Sequence, residues 1–251
     1  MRQNVIHIER FYASPLGKTA RAMVNRRLDP LWPKADGDMK GLDVLGFGYC
    51  APYLMRYREQ AGSLIFAMPE DQGAMISRSK RGNITCLVED ERLPFATASF
   101  DRVFVAHGLE DTQRPARLMD ELWRVLRPEG QIVILAANRA GLWSRSDASP
   151  FGSGRPFTRG QLGAVLTGAQ FLPTAWAGAL YMPPSRRLTG IAGGLERFGE
   201  TVMPRFSGLI LVRAIKRLYA NTQSGHTAKM RVPDLIPASP AKTAQTGKTG
   251  S

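Results

Sequence analysis

Cysteine is almost missing from this 251-residue chain: Cys50 and Cys86 are the only two, in no C-x-x-C pair. That spacing gives no basis for a disulfide framework or a structural zinc site. No run of about 18 apolar residues occurs, so no spanning helix is expected. The opening Met1-Arg2-Gln3-Asn4-Val5-Ile6-His7-Ile8-Glu9 lacks the apolar core of a secretory signal, and a cytoplasmic location is expected. Acid is also scarce, with 21 Asp and Glu against 34 Lys and Arg, a formal charge of +13. Such a charge attracts phosphates, RNA or an anionic membrane. No Lys/Arg run with interleaved aromatics accompanies it, so a dedicated nucleic-acid module is not favoured.

An apolar fraction of 43% in a chain of this length suits one large globular domain. Residues 11–28 carry Leu16, Ala20, Met23, Val24 and Leu28 at helical spacing, with Ser14 as a cap and Pro15 at the first helical position. Pro30, Pro33 and Gly37 mark a connector. Strands are then expected over Leu42–Gly46, Leu64–Ala67, Ile84–Val88, Arg102–Ala106 and Gln131–Ala136, with helices over Pro52–Gln60, Gly73–Ser79 and Pro115–Leu126. In the last of these helices Asp120 and Arg124 form an i,i+4 pair. Strands alternating with helices imply a parallel sheet covered on both faces. A Gly-, Ser-, Arg- and Pro-rich segment follows over residues 139–158, then a helix over Arg159–Leu166. Trp176–Met182 and the run Leu209-Ile210-Leu211-Val212 read as strands, with an amphipathic helix over Leu188–Val202 between them. We therefore divide the chain into an N-terminal helix and connector (1–40), a main domain (41–220) and a tail (221–251) too poor in apolar residues to order itself.

The segment Gly41-Leu42-Asp43-Val44-Leu45-Gly46-Phe47-Gly48-Tyr49-Cys50 is an apolar strand that ends in a glycine turn and opens into a helix. Glycines there let main-chain N–H groups approach a nucleotide-like ligand without Cβ obstruction. A second block runs Leu93-Pro94-Phe95, Ser99-Phe100-Asp101-Arg102-Val103 and Glu121-Leu122-Trp123-Arg124-Val125-Leu126-Arg127-Pro128-Glu129-Gly130. Together these resemble the class I S-adenosylmethionine-dependent methyltransferases of the type 11 group, over roughly residues 40 to 140. The resemblance implies an α/β fold, a Rossmann-like seven-stranded methyltransferase sheet with helices on both faces and an antiparallel hairpin at its end. It also implies S-adenosylmethionine as cofactor.

The first motif is degenerate. Val44 stands where the family carries an acid, Asp43 is one residue early on the alternate face of the strand, and Cys50 replaces a third glycine. The resemblance places the cofactor on Gly46, Phe47 and Gly48. For the ribose hydroxyls, Ala67 and Met68 align with the family's acid, which leaves Glu70 as the ribose ligand or as a solvated turn carboxylate. Glu89 by spacing, or Asp90 by residue type, would accept the adenine amino group, unless these acids are simply a turn. His107 falls beside the reacting methyl group and is either a general base or a structural hydrogen-bonding residue. Arg139, Trp143, Arg145 and Arg155, in the long loop after the fifth strand, read as a substrate lid for an anionic small-molecule or protein acceptor, or as a packing or docking loop. No metal is expected. The alternative to an enzyme is an inactive protein of this fold with a regulatory or partner-binding role. A nicotinamide-dependent oxidoreductase ranks third, because Ala51 takes the place of the last glycine of G-x-G-x-x-G.

Overall fold

One serine organises the N-terminal helices. Ser14 closes α1 (Val5–Ala13) by donating its N–H to the Phe11 carbonyl, and its hydroxyl oxygen accepts from Gly17 N–H at 3.1 Å to cap α2 (Pro15–Leu31). The expected single helix is thus two, which meet at Gly17: a Cβ there would lie 2.0 Å from the Phe11 carbonyl oxygen. The computed structural model describes residues 3–32, 39–80, 82–147 and 149–217. Pro33, Gly37 and the tail over 221–251 lie outside them.

The elements that follow are β1 (Asp43–Gly48), α3 (Ala51–Leu54), β2 (Ser63–Pro69), β3 (Arg78–Ser79), β4 (Gly82–Asn83), β5 (Thr85–Val88), β6 (Phe100–Ala106), α4 (Pro115–Val125) and β7 (Leu126–Ala137). After them come α5 (Arg159–Gly168), β8 (Phe171–Ala179), α6 (Ala192–Val202) and β9 (Leu209–Lys216). Seven strands form one sheet in the order β5-β2-β1-β6-β7-β9-β8. The first five are parallel, while β9 runs antiparallel to both β7 and β8, the expected terminal hairpin. Strand order reverses between β1 and β6, and in such sheets ligands bind outside the carboxyl ends of the strands at that point.

Alternation along the strands sends side chains to two cores. Val44, Phe66 and Phe104 pack with α1, α2 and Tyr53 on one face. Leu45, Phe47 and Val105 pack with α4 and Leu162 and Leu166 of α5 on the other. The N-terminal helices are therefore part of the domain core. Asp43 lies at the far end of β1, where it accepts from Arg127 at 2.9 Å and Ser63 at 2.8 Å while its own N–H donates to Asp101. It ties strand starts together and serves no ligand at the carboxyl edge.

Several expected elements differ. Residues 73–79 form no helix: the chain turns at Gly73 (φ 81°) and runs to the β3–β4 ribbon, and Ser77 N–H donates to Thr85 Oγ1 at 3.0 Å while its carbonyl accepts from Ile84 N–H at 2.9 Å, bonds to a neighbouring strand rather than within a helical turn. The helix expected over Pro52–Gln60 is a four-residue α3 and a 3₁₀ turn over Met55–Tyr57. β7 starts at Leu126, so Pro128 and Gly130 lie within the strand beside a register shift against β6. β8 begins at Phe171, earlier than the apolar run suggests.

Candidate functional site

The glycine turn sits at the carboxyl end of β1, as its sequence implies, but what approaches it is the protein itself. Gly48 has φ 80°, and a Cβ on it would lie 2.3 Å from the Ala106 carbonyl oxygen and 3.1 Å from Gly108. A Cβ on Gly46 would meet Cys50 and Phe66 within 2.9 Å. The two glycines let the turns after β1 and β6 touch. Phe47 is fully buried, its ring against Gly108, so only its main chain faces the turn. The cavity touching Gly48, Tyr49 and Ala51 measures about 110 Å³.

A buried aromatic cluster fills the space above that turn. The Tyr12 hydroxyl, carried in by α1, lies 2.7 Å from His107 Nε2 and 2.6 Å from the Tyr53 hydroxyl. The His107 ring stacks on Phe151 at 4.8 Å. Its backbone is left-handed (φ 53°), a conformation that costs a non-glycine residue roughly 1 kcal/mol or more and clusters at functional sites. The Gln72 amide reaches across from the end of β2, donating to the His107 carbonyl at 2.6 Å, and Val5 N–H in turn holds the Gln72 carbonyl at 2.9 Å. Burial pulls the His107 pKa down to about 3, so its ring is neutral at physiological pH. With Nε2 against the Tyr12 hydroxyl and one ring face stacked on Phe151, this closed arrangement suits the structural hydrogen-bonding alternative for His107 rather than the general base. Burial pushes the Tyr12 and Tyr53 hydroxyls up, so both remain protonated.

The acidic candidates converge. Glu70, after β2, and Glu89 and Asp90, after β5, line one cavity of about 340 Å³ together with Glu91, Asp111 and Thr112. The turn that follows Glu89–Glu91 is fixed by a clamp. Arg124 on α4 donates to both Glu121 oxygens at 2.8 and 2.7 Å and to the carbonyls of Phe95 and Leu93 at 2.8 and 3.0 Å. Glu121 accepts the Leu93 N–H at 2.8 Å. The Arg124 partner is thus Glu121 at i,i+3, not Asp120. The Arg124 guanidinium holds the Glu121 carboxyl below its ordinary range. These five contacts are why Leu93-Pro94-Phe95 keeps its place after the acidic turn.

Around the rim, the loop after β7 is ordered by two 3₁₀ turns, Trp143–Arg145 and Pro150–Gly152, and returns beside its start through an Asn138–Phe157 bridge. Arg155 N–H donates to the Glu110 carbonyl at 2.8 Å, and Gly154 (φ 79°) packs on Glu110 and Asp111, so this end of the loop borders the acid-lined cavity. The Arg139, Arg145 and Arg155 side chains are exposed. Trp143 is not a rim residue: it has no exposed surface, donates its indole N–H to the Met182 carbonyl at 2.7 Å and packs on Phe11 and Phe151. Among the described residues no group of His, Cys, Asp or Glu could hold a metal ion.

The donor set can be tested against S-adenosylmethionine. Carboxylate acceptors on two strand ends suit ribose hydroxyls and an adenine amino group. A cavity lined by six acids favours a cationic nucleoside over a phosphate-bearing dinucleotide. The residues fit the adenosine half. The space at the glycine turn, about 110 Å³ and closed in by Tyr49, Phe66, Met68 and Met75, is smaller than the roughly 300 Å³ that ligand pockets start from. Sequence reasoning missed Tyr12, Gln72, Tyr53 and Phe151, whose contacts join residues 35 to 95 positions apart and leave no local signal.

Residues 42–134 match the family described as methyltransferase domain. Among curated relatives, the ubiquinone/menaquinone biosynthesis C-methyltransferase of Bordetella parapertussis is 42% identical over 55 residues, 22% of this chain and 21% of the relative. A demethylmenaquinone methyltransferase of Clavibacter sepedonicus is 50% identical over 42 residues, 17% of each chain. The chain thus spans about a fifth of the length of these relatives. Among solved structures, an S-adenosylmethionine-dependent methyltransferase from Thermotoga maritima superposes with TM-score 0.60 at 16% identity, over 85% of this chain and 96% of that one. Geranyl diphosphate C-methyltransferase from Streptomyces coelicolor, solved with S-adenosylhomocysteine, gives TM-score 0.51 at 14% identity over 72% and 73%. Sheet order and structural neighbours together show the fold of the class I S-adenosylmethionine-dependent methyltransferases, and residues 42–134 are similar in sequence to the methyltransferase domain family.

Proposed function

We propose that the protein transfers a methyl group from S-adenosylmethionine to an anionic acceptor. The observation that carries this reading is the acid-lined cavity of about 340 Å³ at the carboxyl ends of β2 and β5, in a sheet of this order. Glu70 would accept the ribose hydroxyls and Glu89, with Asp90 beside it, the adenine amino group. When bound, the cofactor supplies an already activated methyl sulfonium, so the chain need not provide strong acid–base help. Positioning and exclusion of water are what the residues contribute.

His107 acts in this reading as a positioning residue. Its neutral ring and the Tyr12 hydroxyl hold α1 over the glycine turn, and admission of the rest of the cofactor past Gly46, Phe47 and Gly48 requires that contact and the Gln72 bridge to open. Arg139, Arg145 and Arg155, exposed on the loop beside the cavity, are suited to a carboxylate or phosphate on the acceptor. Calorimetric titration with S-adenosylmethionine, S-adenosylhomocysteine and NADH tests the reading. Binding of the first two and not the third is expected; binding of NADH alone, or of none at millimolar concentration, overturns it.

A further inference from the structure

The amphipathic helix between β8 and β9 is inserted with its apolar stripe facing away from the domain. The face that α6 turns inward is small and acidic: Ala192, Glu196 and Gly199, at i, i+4 and i+7, are buried. Glu196 accepts the N–H groups of Leu180 and Tyr181 at 2.8 and 2.7 Å, and a Cβ on Gly199 would lie 2.4 Å from Tyr181. Glu200 pairs with Arg27 of α2. Hydrogen bonds, an ion pair, close packing and the partly buried Leu188 and Leu195 therefore hold the segment, and its other large apolar residues take little part.

Those residues lie together roughly a quarter turn from the buried face. Ile191, Phe198 and Val202 fall at i, i+7 and i+11 and are 59%, 61% and 56% exposed; Met203, which ends the helix, and Phe206, in the 3₁₀ turn that follows, are 47% and 58% exposed. Half of the exposed large apolar residues on the described surface are gathered in these 16 positions. Arg186 and Arg187 precede the stripe, Arg197 lies within the helix and Arg205 follows it, and none of the four is ion-paired among the described residues. Exposed Phe, Ile, Val and Met rimmed by arginine are the composition of a helix that lies in a bilayer interface.

We propose that the segment Arg186–Phe206 docks the protein on an anionic phospholipid bilayer, with Ile191, Phe198, Val202, Met203 and Phe206 entering the headgroup boundary and the four arginines on lipid phosphates. Charge decides for this occupant over a second copy. Self-pairing of the patch would bring eight arginines together, and its two acids are already committed, Glu196 to main-chain N–H groups and Glu200 to Arg27. The excess of 13 positive charges over the whole chain acts in the same direction. No helix among the described residues is long and apolar enough to span, so the association is with the surface. The inference stands on the segment Arg186–Phe206 and the charge of the chain, and is independent of the methyl-transfer reading.

The test is sedimentation of the full chain with vesicles of phosphatidylcholine alone and of phosphatidylcholine with phosphatidylglycerol in equal parts. Binding to the mixed vesicles only is expected. The double substitution Phe198→Ser/Val202→Ser should weaken partitioning roughly 30-fold with melting unchanged, and Arg186→Gln/Arg187→Gln roughly 25-fold. Phe198→Trp should show a blue shift of emission on vesicle addition. The proposal is overturned if neither vesicle is bound, if Phe198→Ser/Val202→Ser binds as wild type so that charge elsewhere suffices, or if that variant instead loses self-association, which would assign the patch to a second copy.

Discussion

Replacing Gly48 by alanine should destabilise the fold before it says anything about a ligand. Two costs add. At φ 80° an alanine sits in the left-handed region, which costs on the order of 1–2 kcal/mol relative to glycine. The new Cβ would lie 2.3 Å from the Ala106 carbonyl oxygen, about 1 Å inside ordinary contact, and that oxygen belongs to a main chain held in register between β1 and β7. Parting the strand ends is an overpacking cost of roughly 1–3 kcal/mol. The sum, about 2–5 kcal/mol, corresponds to a fall in melting temperature of at least about 4 °C at 2–4 °C per kcal/mol for a domain of this size. Urea unfolding and thermal circular dichroism measure it. Gly194→Ala is the control: its Cβ meets nothing within 4 Å on an exposed helix position, and it should be neutral or stabilising by up to about 1 kcal/mol. If Gly48→Ala melts with wild type, the turn is not packed as described and the cavity beside it is open.

Removing the clamp by Arg124→Ala should cost about 2–3 kcal/mol in urea unfolding and weaken cofactor binding, since four donated bonds from a partly buried guanidinium are lost. The depressed His107 pKa makes stability fall with acid: the folded value, about 3, lies below the unfolded 6.5, so its contribution is whole above pH 6.5 and is lost toward pH 3. Between pH 7.5 and 5 this amounts to about 2 kcal/mol, and His107→Gln should flatten that part of the stability–pH curve. Arg145→Ala/Arg155→Ala should leave melting and S-adenosylmethionine affinity unchanged while abolishing turnover, because both side chains are exposed at the rim; loss of cofactor binding with stability would make the loop structural.

What the sequence made legible is what local chemistry decides. Ser14 and Pro15 announce a helix start, and apolar runs announce β1, β6 and β7, but the Arg124 clamp was not legible, because Asp120 at i,i+4 looks as good a partner in sequence as Glu121, which also holds Leu93 N–H. Leu209-Ile210-Leu211-Val212 is readable as a strand covered on both faces, since its residues alternate between the two cores, whereas its pairing as a terminal hairpin came only from the family resemblance. Long-range packing was not readable. Glycine at 48 looks the same whether a ligand or the Ala106 main chain approaches it, and only the fold distinguishes them. Trp143 sits among arginines in sequence yet is drawn inward by Met182 and Phe151, 39 and 8 residues away. The plug of Tyr12 on His107 depends on α1 folding back across the sheet ends, which no spacing encodes.

The central claim, that Glu70 and Glu89 hold the adenosine end of the cofactor, is tested most directly by calorimetric affinity of Glu70→Gln and Glu89→Gln for S-adenosylhomocysteine. Each substitution removes a charged hydrogen bond of about 1.5–3 kcal/mol, so each should weaken binding roughly 10- to 150-fold with melting unchanged. Wild-type affinity in both variants would contradict the assignment.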